Sequence, residues 1–471
     1  MLSDIFLTKT DSYKINHWNM LPPDTEYVYS YYESRVGAKY ARTTLFGLQY
    51  ILKKFFEGEV IQDLDDLKIK LILDSHFGRT DMLDYDTIEY IVKVHNGRLP
   101  LHIKAVPEGL SIPTGNVLMT VVNTDPACPG LTNFVESLLT HVWHPSTVAS
   151  LSRDCVSMIS RYLLHTSDVA DQVLPFMLHD FGYRGATCDE AANIAGLAHL
   201  LNSRGTDTIG SLFTAVDYYG HPVDDAVGNS IPATEHSIMT AEGREAEESI
   251  VGRLLDRYPT GLISIVADSY DYYNFVTNII GGKYRDKILA RDGKVVVRPD
   301  STTSRHKTPE ELSLWTLIEL EKHFGSSVNN KKYTTINPKV GAIWGDGIDP
   351  DGISWILDKI TQSMFSADNM VFGMGGGLHQ KDINRDTQRF AFKSSAQMRD
   401  GTWHDVFKDP LDSTKRSKRG RLKLVKSGWL EYETVPIDDP REDVMKTVFH
   451  DGWLQNEITF EQARFNASVG E

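Results

Sequence analysis

Arginine and aspartate stand together in Arg298-Pro299-Asp300-Ser301, directly after the β-branched run Val295-Val296-Val297. An arginine fork grips a phosphate through two parallel hydrogen bonds. A neighbouring aspartate can hold sugar hydroxyls or a magnesium-bound water; a surface ion pair is the plainer alternative. The run Gly373-Met374-Gly375-Gly376-Gly377 follows Met370-Val371-Phe372. Glycines opening a helix let backbone N–H groups approach a phosphate, although a tight turn uses the same residues. Phe181, Tyr183 and Arg184, within His179 to Gly185, set aromatic faces beside a cation. That combination suits a flat heterocycle or core packing. His236, at the end of Ser230 to His236, fits a nucleophile, a proton carrier or a structural histidine, and Asp268 could orient it. Asp207, in Gly205-Thr206-Asp207-Thr208, is a hydrogen-bond acceptor. The other fifteen histidines show no metal-ligand spacing.

These residues need elements to hold them. Five apolar runs of strand length end in them: Phe176 to Leu178, Ile263 to Ala267, Val295 to Val297, Val340 to Trp344 and Met370 to Phe372. A helix-like stretch follows each one. Strands alternating with helices predict parallel βαβ units. In a parallel barrel the carboxyl ends of all strands share one face, where reactive groups collect. The sequence predicts an α/β fold with a catalytic barrel over residues 151–385. Residues 1–150 read as mixed, with strands at Tyr27 to Tyr32 and His102 to Val106 and helices at Leu45 to Phe56 and Leu131 to Val142. Residues 386–471 return to strand-like text and are predicted to join 1–150 in one discontinuous α+β domain. A helix is expected around Leu378 to Asp382, and the polar stretch reading SSVNNKK (326–332) is expected to be partly mobile. No lysine stands at the five strand endings, which disfavours Schiff-base chemistry.

With 41% hydrophobic and 24% charged residues the chain is ordinary globular protein. Its formal net charge of −15 argues against a nucleic-acid binder, which needs a basic footprint. An anionic small substrate still fits if positive charge is concentrated locally, and Lys415 to Arg421 is such a basic run. Three cysteines without a CxxC pair suit a reducing compartment. The amino terminus carries no signal-like apolar stretch, so a cytoplasmic location is expected.

Taken together, these motifs resemble the nicotinamide phosphoribosyltransferases, a branch of the type II phosphoribosyltransferase family. The resemblance runs over nearly the whole chain, through Thr10 to Lys14, Phe46 to Leu52, Lys104 to Gly109, His179 to Gly185, Gly205 to Thr208, Arg298 to Ser301, Gly345 to Gly347, Gly375 to Leu378, and Phe407 to Pro410 with Lys415 to Gly420. It implies an irregular (β/α) barrel of that family. It implies transfer of the phosphoribosyl group of phosphoribosyl pyrophosphate to nicotinamide, giving nicotinamide mononucleotide and pyrophosphate in NAD salvage. It also implies a homodimer with shared active sites, magnesium carried mainly by substrate phosphates, and ATP as a coupled co-substrate acting through a phosphohistidine.

By the same resemblance Phe181 stacks on the pyridine ring, with Tyr13 of a partner subunit on its other face. Asp207 accepts from the carboxamide, and Arg184, Ser230, Ile231 and Ser264 line that pocket. Arg298 and Asp300 hold ribose and pyrophosphate, while Gly345, Asp346, Gly375 and Gly376 cradle the ribose and its phosphate. Asp11 joins the phosphoribosyl site, and Arg385 and Lys393, with Lys415 and Arg416, come from the partner subunit to complete the anion site. His236 is the phosphorylated histidine and Asp268 its carboxylate partner. Ala391 replaces a serine of the vertebrate enzymes, which removes one hydroxyl contact. The alternatives are a nicotinate phosphoribosyltransferase and a non-catalytic binding protein on the same fold.

Overall fold

The computed structural model describes residues 5–61, 67–410 and 416–468. The chain divides into two compact units. One comprises Met1–Ser150, Ala215–Pro222 and Ile383–Glu471; the other comprises Leu151–Thr214 and Val223–Asp382.

The first unit is built on a seven-stranded antiparallel sheet. The strand Thr25–Ser34, rich in tyrosine and almost wholly buried, lies between Phe390–Arg399 and Val117–Asn123. Aromatic and β-branched side chains suit such a doubly covered strand. Leu101–Ala105 and Lys446–His450 extend the sheet on the far side. Segments from both ends of the chain therefore share one ladder. The helices Leu48–Phe55 and Leu131–Thr140 are shorter than the sequence suggested. Ala215–Pro222, expected with the barrel, belongs here because Tyr219 stacks on Phe46 at 5.2 Å and meets Phe460 edge-on. Its hydroxyl donates to the buried Glu108 at 2.8 Å. Glu108 also accepts from the amides of Gly47 and Gln49, supplying acceptors at the start of Leu48–Phe55.

The second unit is a ring of parallel strands. In chain order these are β1 (Leu178–Asp180), β2 (Gly205–Thr206), β3 (Thr260–Val266), β4 (Asp292–Arg298), β5 (Val340–Trp344) and β6 (Met370–Met374). Their spatial order is β2-β1-β6-β5-β4-β3, every pair parallel. Among the described residues no regular strand lies between β2 and β3. Instead Asn229 bridges Gly205 on one side and Ala233 bridges Ser264 on the other. The amides of Thr206 and Thr234 bond the carbonyls of Asn229 and Ser264, both at 3.0 Å. Residues 229–234 thereby close the ring with irregular backbone, which makes the barrel irregular.

Local signals set the covering helices. Thr308 caps Pro309–Phe324 by accepting from Glu311 N, and Asp349 caps Pro350–Gln362 by accepting from Gly352 N. Proline opens both, where a missing N–H costs nothing. Among the described residues no helix is long and apolar enough to cross a membrane.

Three sequence expectations need correction. The first barrel strand is Leu178–Asp180, not Phe176 to Leu178, because Pro175 lies in the 3-10 turn Leu174–Phe176. The helix after the glycine run is the short Gly376–His379. The SSVNNKK stretch lies in a hairpin that pairs Ser326–Val328 with Thr334–Ile336.

The shifted β1 puts a carboxylate inside the barrel. Asp180 is fully buried. It accepts from Gly182 N at 2.7 Å and Thr206 Oγ1 at 3.2 Å, and its Oδ1 lies 2.8 Å from His379 Nε2. Burial pushes this carboxyl up, but the hydrogen bond and charge of His379, with the nearby His199 and Thr208, hold it at about 2. A folded-state pKa below the unfolded value of about 3.9 contributes stability that is present above about pH 4 and lost as pH falls through about 2. The contribution expected is about 2–3 kcal/mol. Urea unfolding between pH 7 and pH 3 is expected to show an acid loss that Asp180→Asn flattens; equal acid slopes in both proteins would refute the assignment.

Candidate active site at the carboxyl ends of the barrel strands

Phe181 leaves the end of β1 and its amide bonds the carbonyl of Met374 at 2.9 Å. The ring packs closely against glycine backbone: a Cβ at Gly373 would sit 1.9 Å from Phe181 Cε2, and one at Gly345 3.3 Å away. Glycine at position 373 is therefore what admits the ring. Phe181 is half-buried, leaving surface for a partner, while Arg184 is exposed two residues beyond Gly182.

Asp207 follows β2, anchored by its own amide on the Asp180 carbonyl at 2.9 Å. Its Oδ1 accepts from Ser230 Oγ at 2.5 Å. Ser230 and the neighbouring Ile231 lie in the irregular segment that closes the barrel, and Ser264 is its neighbour on β3. The Ser264 hydroxyl is buried without a hydrogen-bond partner. His179 is half-buried beside Gly205, with its ring 6.2 Å from that of Phe181. Burial lowers the His179 pKa, and the charge of Asp207 partly restores it.

His236 opens the short helix His236–Met239. Its Nδ1 is 3.0 Å from Ser269 Oγ. Its Nε2 faces Asp268 Oδ1 at 3.8 Å and Asp300 Oδ2 at 3.7 Å, and the side chain is 48% exposed. The structure thus brings His236, Asp268 and Asp300 together from three separate segments. Arg298, the last residue of β4, is turned by two neighbours. Its Nη2 donates to Thr234 O at 2.7 Å and its Nε lies 3.2 Å from Asp300 Oδ1. Ser301 Oγ donates to the remaining oxygen of Asp268 at 2.5 Å.

Asp346 follows β5, with its carbonyl accepting from Trp344 Nε1 at 2.7 Å. Burial raises its pKa, and the charges of Asp300 and Asp268 raise it further. Three carboxylates crowded in this way fit a cation that enters with a phosphate ligand. Among the described residues no group of three or more His, Cys, Asp or Glu side chains is placed to hold a metal ion directly. Gly375 and Gly376 open the turn after β6. A side chain at Gly376 would meet open space, and Gly376 Cα lies 2.9 Å from where a Cβ at Gly185 would stand. The glycine turn and the Phe181 loop therefore touch backbone to backbone.

The remaining candidates belong to the first unit. Tyr13 is 59% exposed on the turn Ser12–Met20. Asp11 accepts from Ser137 Oγ at 2.6 Å. Arg385 is exposed beside Asp386. Lys393 is half-buried on Phe390–Arg399, and its pKa is lowered by burial, with Arg35, Lys408 and Lys14 adding positive charge and Glu136 opposing them. Ala391 pairs with Glu33 on the adjoining strand. Arg416 is exposed and pairs with Asp409 at 2.5 Å. Lys415 lies outside the described residues.

Sequence reading missed Ser269, Thr234 and Ser301, which orient the His236 group, and Arg35, which joins the Lys393 cluster. Ser269 and Ser301 each adjoin a residue already singled out, but sequence gives no sign of which acid or imidazole they meet. Arg35 follows a strand whose pairing to Phe390–Arg399 had to be seen first.

Residues 176–453 match the model of the nicotinate phosphoribosyltransferase (NAPRTase) family, and residues 5–103 that of the nicotinamide phosphoribosyltransferase amino-terminal domain. The chain is 41% identical to a nicotinamide phosphoribosyltransferase of Xanthomonas campestris over 99% of its own length and 98% of that protein. It is 33% identical to one from Mycoplasma pneumoniae, covering 88% of this chain and 95% of the relative. The fold is similar to those of nicotinate-nucleotide pyrophosphorylase from Pyrococcus furiosus (TM-score 0.63, 14% identity, 99% of this chain and 95% of that one) and human nicotinic acid phosphoribosyltransferase (TM-score 0.57, 14% identity, 98% and 93%). With 278 of its 471 residues matched by one family model and close relatives along its length, the chain belongs to the nicotinate phosphoribosyltransferase family.

Proposed function

We propose that the protein transfers the phosphoribosyl group of phosphoribosyl pyrophosphate to nicotinamide, forming nicotinamide mononucleotide and pyrophosphate. The observation that carries this reading is Asp207, held by Ser230 at the same end of the barrel as the half-buried face of Phe181. A carboxylate accepts from a carboxamide N–H and repels the carboxylate of nicotinate. The names of the relatives support the same choice.

The pyridine nitrogen carries no proton, so its attack on the anomeric carbon needs no general base. The new C–N bond forms as the C–O bond to pyrophosphate breaks, and the leaving group departs with the electron pair. What the protein supplies is alignment and stabilisation of the departing charge. Phe181 fixes the plane of the ring and Asp207 its rotation. Arg298, oriented by Thr234, faces the negative charge. Magnesium would be carried mainly by the substrate's own phosphates and would neutralise charge on the pyrophosphate, with Asp268, Asp300 and Asp346 as the nearby acids that favour its entry. Gly345, Gly375 and Gly376 leave room for ribose phosphate.

In this reading ATP acts through His236: the γ-phosphoryl group passes to an imidazole nitrogen and ADP leaves. Ser269 orients the ring and its exposure admits the phosphate. A phosphoimidazole adds acceptor oxygens among the three aspartates and helps organise the cation there. Tyr13 of a partner subunit covers the other face of the pyridine ring, Asp11 joins the phosphoribosyl site, and Arg385, Lys393, Lys415 and Arg416 of the partner subunit complete the anion site, in a cytoplasmic homodimer.

Product formation from nicotinamide and nicotinate, each with and without ATP, tests the reading directly. Nicotinamide mononucleotide should dominate, and preferential use of nicotinate would overturn the role of Asp207. Asp207→Ser is expected to lower the preference for nicotinamide by about 10-fold or more, since a hydrogen bond to a charged group contributes about 1.5–3 kcal/mol; an unchanged ratio refutes it. His236→Ala is expected to abolish transfer of labelled γ-phosphate to the protein together with the rise in rate caused by ATP, and persistence of both would remove the phosphohistidine. Mixing inactive Phe181→Ala and Lys393→Ala proteins should recover up to about a quarter of normal activity if each site draws on both subunits, whereas no recovery argues for sites within one chain.

A further inference from the structure

Three parts of the proposed site meet at one buried residue. Asp180 receives Gly182 N and Thr206 Oγ1 on its carboxylate and Asp207 N on its carbonyl. It thereby fixes the loop that carries Phe181 and the strand end that carries Asp207. The third part is the glycine turn after β6, whose short helix Gly376–His379 ends in the imidazole that lies 2.8 Å from Asp180 Oδ1. Both side chains of this pair are 0% exposed. The His379 ring also fills the space over Gly182, where a Cβ would come within 2.5 Å of it.

We propose that Asp180 and His379 form a positioning pair that sets the separation between the base-stacking loop and the phosphate turn, and with it the approach of the pyridine nitrogen to the anomeric carbon. The proposal rests on the transferase reading above. Neither residue has a route to substrate, so each acts through the groups it holds. Stability alone does not account for the pair, because a buried ion pair is commonly matched or exceeded by apolar side chains of similar volume. Other links between the two segments include the Phe181 N to Met374 O bond, the Phe181 ring against Gly373 and the close approach of Gly185 to Gly376. The buried side-chain pair adds a link beneath them that resists their shearing past one another.

The test is steady-state kinetics with single-turnover rates on His379→Leu, His379→Gln and the double variant Asp180→Asn/His379→Gln, after wild-type turnover of nicotinamide has been established. Absence of that turnover would remove the transferase reading and is recognised before any variant is made. His379→Leu is expected to lower kcat by about 10–100-fold, the scale of a misplacement near 1 Å, while the KM values for nicotinamide and phosphoribosyl pyrophosphate change less than about 3-fold. His379→Gln, whose amide nitrogen can stand near the place of Nε2, should recover most of the rate. If His379→Leu fails to fold, the neutral double variant carries the test. It keeps a donor and an acceptor and should retain kcat within about 3-fold of wild type. A wild-type kcat in His379→Leu with only a lowered melting temperature would overturn the proposal. So would a glutamine variant as slow as the leucine one, or a double variant that folds and loses the rate.

Discussion

Asp180 carries a negative charge where no water reaches it. That is tolerable only because an imidazole, a threonine hydroxyl and a backbone amide converge on its two oxygens. Each of those groups comes from a different segment of the barrel. Satisfying one carboxylate therefore brings the end of β1, the end of β2 and the turn after β6 to fixed places. The same places carry the aromatic platform, the amide acceptor and the glycine turn. Desolvation, usually a cost, acts here as a specification: any arrangement that separated these segments would leave an unpaired charge inside the barrel.

A second electrostatic constraint lies on the opposite arc of the same face. Burial, and after it the charges of Asp300 and Asp268, push the Asp346 carboxyl upward. His236 and Arg298 offset part of this, the former at more than 3.5 Å from both acids. Such a group is better balanced with a cation than without one. In the first unit the imbalance has the other sign. Lys393 is pushed toward its neutral form by burial and by neighbouring cations, which an anion in contact with it would reverse.

Much of the barrel was legible because a β-branched run that stops abruptly at polar residues fits little besides a buried parallel strand. Val340–Trp344 was read to the residue, and Met370–Met374 to within two. Leu178–Asp180 was misplaced because His179 and Asp180 look like the end of a strand. They continue it only because residues about 25 and 200 positions away satisfy them, which local pattern cannot reveal. The ring closure at 229–234 was invisible for a related reason. It uses isolated bridges rather than a strand, so it has neither the periodicity nor the length of one. Site residues at strand ends, such as Asp207 and Asp300, could be found from position alone. Ser230, Ser264 and Tyr13 were reached through resemblance, since a serine or tyrosine in a loop has no signature of its own.

The chemistry accounts for why so many of these residues hold rather than react. A nucleophile that arrives unprotonated and a leaving group that departs as a stable anion ask for no proton relay. The burden falls on distance and orientation, to which rates are steeply sensitive. In the proposed reaction, rotation of the base would be set where Ser230 meets Asp207, its plane where Phe181 meets Gly373, and the ribose phosphate where the glycine turn begins. These three controls reside on separate loops, and loops are the softest parts of a barrel. Precision in such a site must come from beneath it, from interactions too buried to relax. A fully desolvated acid–imidazole pair, joining the loops at their base, is buried deeply enough to meet this demand.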